Sequence, residues 1–255
     1  LTRARKALLF RAVSIRTILP NVVTLLAFMA GLTSIKFALS SKWELAVAAI
    51  LVAGIFDGLD GTVARLLKSA SRFGAELDSL SDVVAFGVAP AVILYLFALQ
   101  SLDRLGWAVA LIYAIAMALR LARFNSRLDD DTEPKKASGF LTGVPAPMGA
   151  GLLLMPMMGE FVFGTKILEG YELFVAGYAI FVALLMVSTF PTPSLKALRV
   201  PREWFIPALL VIAVVLAGLF AQPWAVVIGI GITYLISLPI TYAAFRKRAA
   251  TKNRS

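Results

Sequence analysis

The sequence predicts an all-α integral membrane protein of about eight transmembrane helices, and three observations predict it. The 255 residues are 60% hydrophobic, with a mean hydropathy of +0.85, well above the roughly half-apolar make-up of soluble domains. The apolar residues gather into long runs, each near or above the roughly 20 residues that cross a hydrocarbon core. The 25 Lys and Arg fall in clusters between these runs. A net charge of +10 could serve nucleic acid, but no basic sheet face or nucleic-acid motif accompanies it. The chain has neither Cys nor His, which removes disulfides, thiol catalysis and the usual zinc ligands.

Residues 1–17 set Arg3, Arg5, Lys6, Arg11 and Arg16 around Leu8, Leu9, Phe10, Val13 and Ile15. This reads either as a basic amphipathic helix lying on an anionic leaflet or as a juxtamembrane positive flank. No secretory signal is legible, because the first apolar run is too long and lacks a small-residue cleavage site. Leu1 in place of Met predicts a natural start further upstream.

Apolar runs follow at about 18–39, 43–67, 73–99, 105–126, 143–163, 171–190, 203–221 and 223–245, the last two separated only at Gln222-Pro223. The segment Phe190-Pro191-Thr192-Pro193 divides a six-helix portion, 18–190, from a C-terminal pair and basic tail, 191–255. Pro90 should kink the third run. Trp43, Trp107, Trp204 and Trp224 near run ends suit interfacial belts. Gly229-Ile230-Gly231 reads as close helix packing.

Orientation follows from the basic residues. Only Lys36, Lys42, Arg104 and Lys166 lie near the loops after the first, third and fifth runs. The others lie at the N-terminus, after the second, fourth and sixth runs, or in the tail, so both termini are expected in the cytoplasm. The polar loop Ser126–Gly139, with Asp129-Asp130-Asp131, lacks the ligand spacing of a calcium loop and reads as a solvated turn.

The chemistry concentrates in residues 57–82, DGLDGTVARLLKSASRFGAELDSLSD. Asp57 and Asp60 are i, i+3 on one helix, and Gly61 and Ala64 continue the stripe. Asp78 and Asp82 are i, i+4 on the next, one turn after Gly74, whereas Glu76 points off that face. Packed side by side, the two helices would point four acids at one another. Intramembrane acids are a functional-site hypothesis by default, and an all-oxygen ligand set suits Mg²⁺, Mn²⁺ or Ca²⁺. Such a site fits metal-assisted phosphoryl chemistry, with Arg65 placed to meet phosphate. The residues equally allow an ion-binding or proton-relay cluster of a transporter, or helix-end acids paired with Arg65, Lys68 and Arg72.

Written as a pattern, the stretch is Asp57-x-x-Asp60-Gly61-x-x-Ala64-Arg65, eight residues, then Gly74-x-x-x-Asp78-x-x-x-Asp82. This resembles the signature of the CDP-alcohol phosphotransferase family at all eight positions. Pro20-Asn21-x-x-Thr24 is similar to that family's opening. The resemblance covers at least residues 18–190. It implies a six-helix catalytic core, a site open to the cytoplasm, a homodimer, and an alcohol attacking a CDP-activated donor with release of CMP. It also implies two divalent ions, Mg²⁺ or Mn²⁺. Asp57, Asp60 and Asp78 would hold one, and Asp57, Asp78 and Asp82 the other. Asp82 would be the base towards the acceptor alcohol. Gly61, Ala64 and Gly74 would line the nucleotide pocket, Arg65 would anchor phosphate or orient the acids, and Asn21 and Thr24 would touch the nucleotide.

Three further stretches, Ser81–Pro90, Leu119–Asn125 and Phe140–Pro147, resemble the phosphatidylserine synthase branch of the family. That branch implies CDP-diacylglycerol as donor and L-serine as acceptor, in a bacterial inner membrane. Arg120 and Arg123, i, i+3 near the end of the fourth run, could clamp a serine carboxylate, with Asn125 offering a hydrogen bond; they could equally snorkel to head groups. Arg120 could alternatively hold donor phosphates. Ser79 and Ser81 would bond helix carbonyls or water. Two alternatives stay open: another acceptor, such as glycerol 3-phosphate, inositol phosphate or choline, or a divalent-cation transporter. Acids at the cytoplasmic helix ends, not at the midplane, count against the transporter.

Overall fold

A computed structural model describes residues 15–69, 71–129, 140–188, 191–193 and 202–252. The amphipathic segment expected over 1–17 and most of the polar loop Ser126–Gly139 lie outside them. The protein is an all-α membrane protein. The first helix, α1 (Ile15–Leu39), has no charge between Arg16 and Lys36. A tight turn with Ser41 at φ 54° returns the chain into α2 (Trp43–Leu66), packed along α1. The next turn, with Lys68 at φ 50°, leads to α3 (Arg72–Asp82). Ser71 caps α3 by accepting a 3.0 Å hydrogen bond from the Gly74 N–H, satisfying one donor that a helix start leaves open.

Around Pro90 the third apolar run is not a single regular α-helix. After α3 the chain widens into a π turn, Val83–Val88, closed by the Ala89 N–H on the Val84 carbonyl. A short helix, α4 (Ala89–Leu94), a second wide turn (Tyr95–Leu99) and a 3₁₀ turn (Gln100–Leu102) follow. Pro90 brings no N–H to the backbone ladder, and the Phe86 carbonyl is served instead by the buried Tyr113 hydroxyl at 3.0 Å. Away from water an unserved carbonyl would cost several kcal/mol, so Tyr113 completes the turn that Pro90 requires.

At Asp103, φ 48°, the chain reverses into α5 (Asp103–Asp129), which packs back along this segmented run. A three-residue strand, β1 (Phe140–Thr142), pairs antiparallel with β2 (Pro191–Pro193), Leu141 opposite Thr192. This clip ties the chain entering α6 (Ala146–Phe163) to the chain leaving α7 (Glu172–Val187). Two apolar helices complete the described chain, α8 (Phe205–Ala221) and α9 (Pro223–Lys252).

Among the described residues, five helical stretches are long and apolar enough to cross a membrane: 18–39, 43–66, 72–126, 146–163 and 223–242. The third is 55 residues long and contains the reversal at Asp103; α7 and α8 are shorter apolar helices. The core joins α2, α4, α5, α6 and α7 through side chains such as Ile50, Ile93, Met117, Leu153 and Val182. Large apolar residues cover the outside, Phe220 at 93% and Ile206 at 74% exposure among them, a surface suited to lipid.

The tryptophans divide. Trp107 and Trp204 are exposed, but Trp43 and Trp224 pack against the core and end an aromatic ladder. Its ring centroids are 5.1 Å apart for Trp43–Phe97, 6.3 Å for Phe97–Phe161 and 5.3 Å for Phe161–Trp224, all edge to face. The ladder fastens α2, the second wide turn, α6 and α9 together. Gly231 is a helix contact as expected, whereas Gly229 faces open space.

Candidate active site

At the other end of α2, the stripe Asp57, Asp60, Gly61, Ala64 faces α3 and the first turns of α1. Carboxylate oxygens of Asp57, Asp60 and Asp78 all lie within 4.8 Å of one another. Asp82, one turn further along α3, approaches Asp57 to hydrogen-bonding reach, as Asp78 does Asp60. The four acids converge. Asp60 is 6% exposed and Asp82 9%. Among the described residues, none of the four has a Lys or Arg nitrogen within 4.0 Å; Lys166 and Glu169, in the connection from α6 to α7, form an ion pair. Carboxylates so close repel unless a proton or cation lies between them. An all-oxygen donor set with no direct ion pair fits a hard divalent cation, so the cluster could hold one.

Two contacts aim these acids. The Thr24 hydroxyl, 3% exposed, donates to Asp60 Oδ2 at 2.7 Å and lies 3.2 Å from the Pro20 carbonyl. Thr24 therefore reaches the acid and is not among the residues lining the neighbouring cavity. Asn125 donates through Nδ2 to Ser79 Oγ at 2.9 Å, and Ser79 donates to the Ala75 carbonyl at 3.0 Å. Asn125 thus ties the end of α5 to the face of α3 beside Asp78. Ser81 bonds the Thr24 carbonyl at 3.2 Å, fixing α3 on α1.

A cavity of about 160 Å³ opens beside Asp60 and Asp78, lined also by Asn21, Gly61, Ala64 and Gly74. A Cβ on Gly61 would meet nothing within 4 Å, so the space in front of it is clear. A Cβ on Gly74 would stand 2.9 Å from Asn21 Oδ1 and 3.1 Å from Ser71 Oγ. Glycine there lets Asn21 close onto α3. Ser69 and Ser71 also line the cavity; Ser71, three residues before Gly74, carried a capping signal in the sequence.

The arginines separate. Arg65 is exposed, with Nη2 on Thr62 Oγ1 at 3.2 Å, and does not line the cavity. Arg123 donates through Nη2 to the Val187 carbonyl at 2.5 Å, capping the end of α7. Arg120 is the one directed to the acids, close enough to Asp57 and Asp82 for charge interaction. Beside it stand Tyr113 and, from α9, Tyr234, which no pattern in the sequence singled out.

The family model for CDP-alcohol phosphatidyltransferases matches residues 17–190, and that for CDP-alcohol phosphatidyltransferase 2 matches residues 203–239. A CDP-diacylglycerol–serine O-phosphatidyltransferase of Mycobacterium tuberculosis is 40% identical over 232 residues, covering 90% of this chain and 79% of its own. The protein of that name from Mycobacterium leprae is 39% identical over 229 residues, 90% of this chain and 75% of its own. The one from Helicobacter pylori J99 is 35% identical over 205 residues, 80% and 82% of the two chains. With its full acidic signature gathered into one site, the chain belongs to the CDP-alcohol phosphatidyltransferase family.

Proposed function

We propose that the protein transfers the phosphatidyl group of CDP-diacylglycerol to the hydroxyl of L-serine, forming phosphatidylserine and CMP. The gathering of Asp57, Asp60 and Asp78, with Asp82 reaching Asp57, next to the cavity that Asp60 and Asp78 line carries the reaction type. Similarity to the three serine transferases supports the acceptor. Asp57, Asp60 and Asp78 would hold one divalent ion, and Asp57, Asp78 and Asp82 a second. Bound there, Mg²⁺ or Mn²⁺ neutralises charge on the transferring phosphate and the departing CMP.

Asp82 takes the proton of the serine hydroxyl as that oxygen attacks the phosphatidyl phosphorus. The new P–O bond to serine forms as the P–O bond to CMP breaks. Asn21, Gly61, Ala64 and Gly74 receive the nucleotide, and Thr24 holds Asp60 in its working orientation. Arg65, free of the cavity wall, meets phosphate at the site's rim. Arg120 serves the serine carboxylate, whereas Arg123 and Asn125 fix the helix ends around it. The site opens to the cytoplasm of a bacterial inner membrane, where CMP and divalent ions are handled, and the enzyme works as a homodimer. Residues 18–190 form its catalytic part, and 191–255 a C-terminal addition.

The test is CMP release by purified protein with CDP-diacylglycerol, Mn²⁺ or Mg²⁺ and a panel of alcohols, with Asp82→Asn in parallel. Release stimulated by L-serine, abolished by chelation and reduced by a factor on the order of 10²–10⁴ in Asp82→Asn is expected. Stimulation by another alcohol alone would overturn the acceptor. Metal binding without any release would point to cation transport.

A further inference from the structure

The four acids face two different environments. Asp60 and Asp78 line the cavity with Asn21, Gly61 and Ala64. Asp57 and Asp82 are absent from that lining and look towards Arg120 instead. Arg120 stands back from a direct ion pair, since none of the acids lies within 4.0 Å of it, and its Nε atom is fully buried without a hydrogen-bond partner. A guanidinium placed this way keeps donors in hand for an anion that is not part of the protein.

The surroundings of Arg120 include a helix beyond residues 17–190, within the stretch 203–239 that the second family model matches. One face of α9, Trp224, Val227, Ile228, Gly231, Tyr234 and Leu235, recurs at three- and four-residue spacing and packs against the core. Gly231 sits where a Cβ would come within 3.2 Å of Met155 Sδ and 3.5 Å of Leu152 Cδ2, so α9 lies close on α6. One turn later this face sets Tyr234 within electrostatic range of Arg120, with the Tyr234 hydroxyl oxygen buried. The partner helix α8 buries none of its residues. In this arrangement α8 returns the chain and α9 brings Tyr234 into the surroundings of Arg120.

We propose that Tyr234 is a specificity-determining residue of the acceptor site, its hydroxyl and the Arg120 guanidinium together binding the carboxylate of the acceptor amino acid. This rests on the serine reading above. The acceptor's hydroxyl must reach Asp82, and Arg120 lies on the Asp82 side of the cluster. In serine only two carbons separate hydroxyl from carboxylate, so an anion site adjoining the base suits it. Donor phosphates, tied to the nucleotide, belong on the cavity side with Asp60 and Asp78.

The experiment uses the full chain in detergent, comparing wild type, Tyr234→Phe and Arg120→Lys. CMP release is followed against L-serine and L-serine methyl ester at fixed Mn²⁺, and separately against CDP-diacylglycerol. Tyr234→Phe keeps the ring and its packing and removes only the donor. Its KM for L-serine should rise about tenfold, the scale of one hydrogen bond to a charged group. Its preference for L-serine over the ester should shrink by a similar factor, with the KM for CDP-diacylglycerol unchanged. Arg120→Lys, which loses the planar fork, should split the two KM values in the same direction. An unchanged serine KM and ester preference in Tyr234→Phe overturns the inference, as does a rise confined to CDP-diacylglycerol. Wild type that ignores L-serine while turning over another alcohol refutes the serine reading, and with it the carboxylate. Wild type that uses L-serine leaves that reading standing, and the variants then judge Tyr234 alone.

Discussion

Thr24→Val tests whether the site depends on the buried tether between α1 and the acidic cluster. The substitution keeps the side-chain shape and deletes one donor. That donor is the 2.7 Å hydrogen bond to Asp60 Oδ2, made by a hydroxyl only 3% exposed to an acid 6% exposed. Water has little access to replace it. A hydrogen bond to a charged group contributes about 1.5–3 kcal/mol, which corresponds to roughly ten- to hundredfold in an equilibrium. Outer partners of metal ligands typically change affinity by about the same 10–100-fold. Mn²⁺ affinity, measured by electron paramagnetic resonance without substrate, should fall by this factor. The Mn²⁺ dependence of CMP release should shift in parallel, and Thr24→Ser, which retains the hydroxyl, should restore most of both. If Thr24→Val binds Mn²⁺ as wild type does and needs no more of it, Thr24 does not position Asp60 for metal.

Gly74→Val should raise the KM for CDP-diacylglycerol severalfold with little change in that for L-serine, because its Cβ would stand 2.9 Å from Asn21 Oδ1; steady-state kinetics on both substrates separates these. Phe161→Ala removes the middle of the aromatic ladder, which joins Phe97 and Trp224. It should cost about 3–5 kcal/mol of stability, seen as a lower unfolding temperature in detergent while both KM values hold. Tyr113→Phe strips the Phe86 carbonyl of its donor and should cost about 1–3 kcal/mol. Faster amide exchange confined to residues around the π turn would report it.

The helical plan was legible in the sequence because lipid imposes it: runs of apolar residues and clusters of Lys and Arg mark where a chain crosses and turns. The acidic cluster was legible because spacings of three and four put side chains on one helix face. The π turns were not. Pro90 announced only that a carbonyl would lose its donor, and whether the helix bends or widens depended on Tyr113, 23 positions away, arriving on the returning helix. Trp43 and Trp224 stand at run ends, as the sequence shows, but their ring partners on other helices left no local signal.

The arginines show most sharply where local pattern stops informing. Arg120 and Arg123 share a spacing that makes them look like one clamp, yet three residues turn a helix by about 300°, not a full circle. That difference suffices to send them to different neighbours: Arg123 to the carbonyl that ends α7, Arg120 towards Asp57 and Asp82. Asn125, read as a hydrogen-bond donor for the acceptor, is used on Ser79. Each of these outcomes depends on which helix packs alongside α5. A helix packed from outside the acidic signature, α9, can likewise bring a hydroxyl near Arg120 without any sign of it in residues 57–82. Selectivity among acceptor alcohols can thus be altered from residues 223–242 while the acidic site of α2 and α3 stays the same.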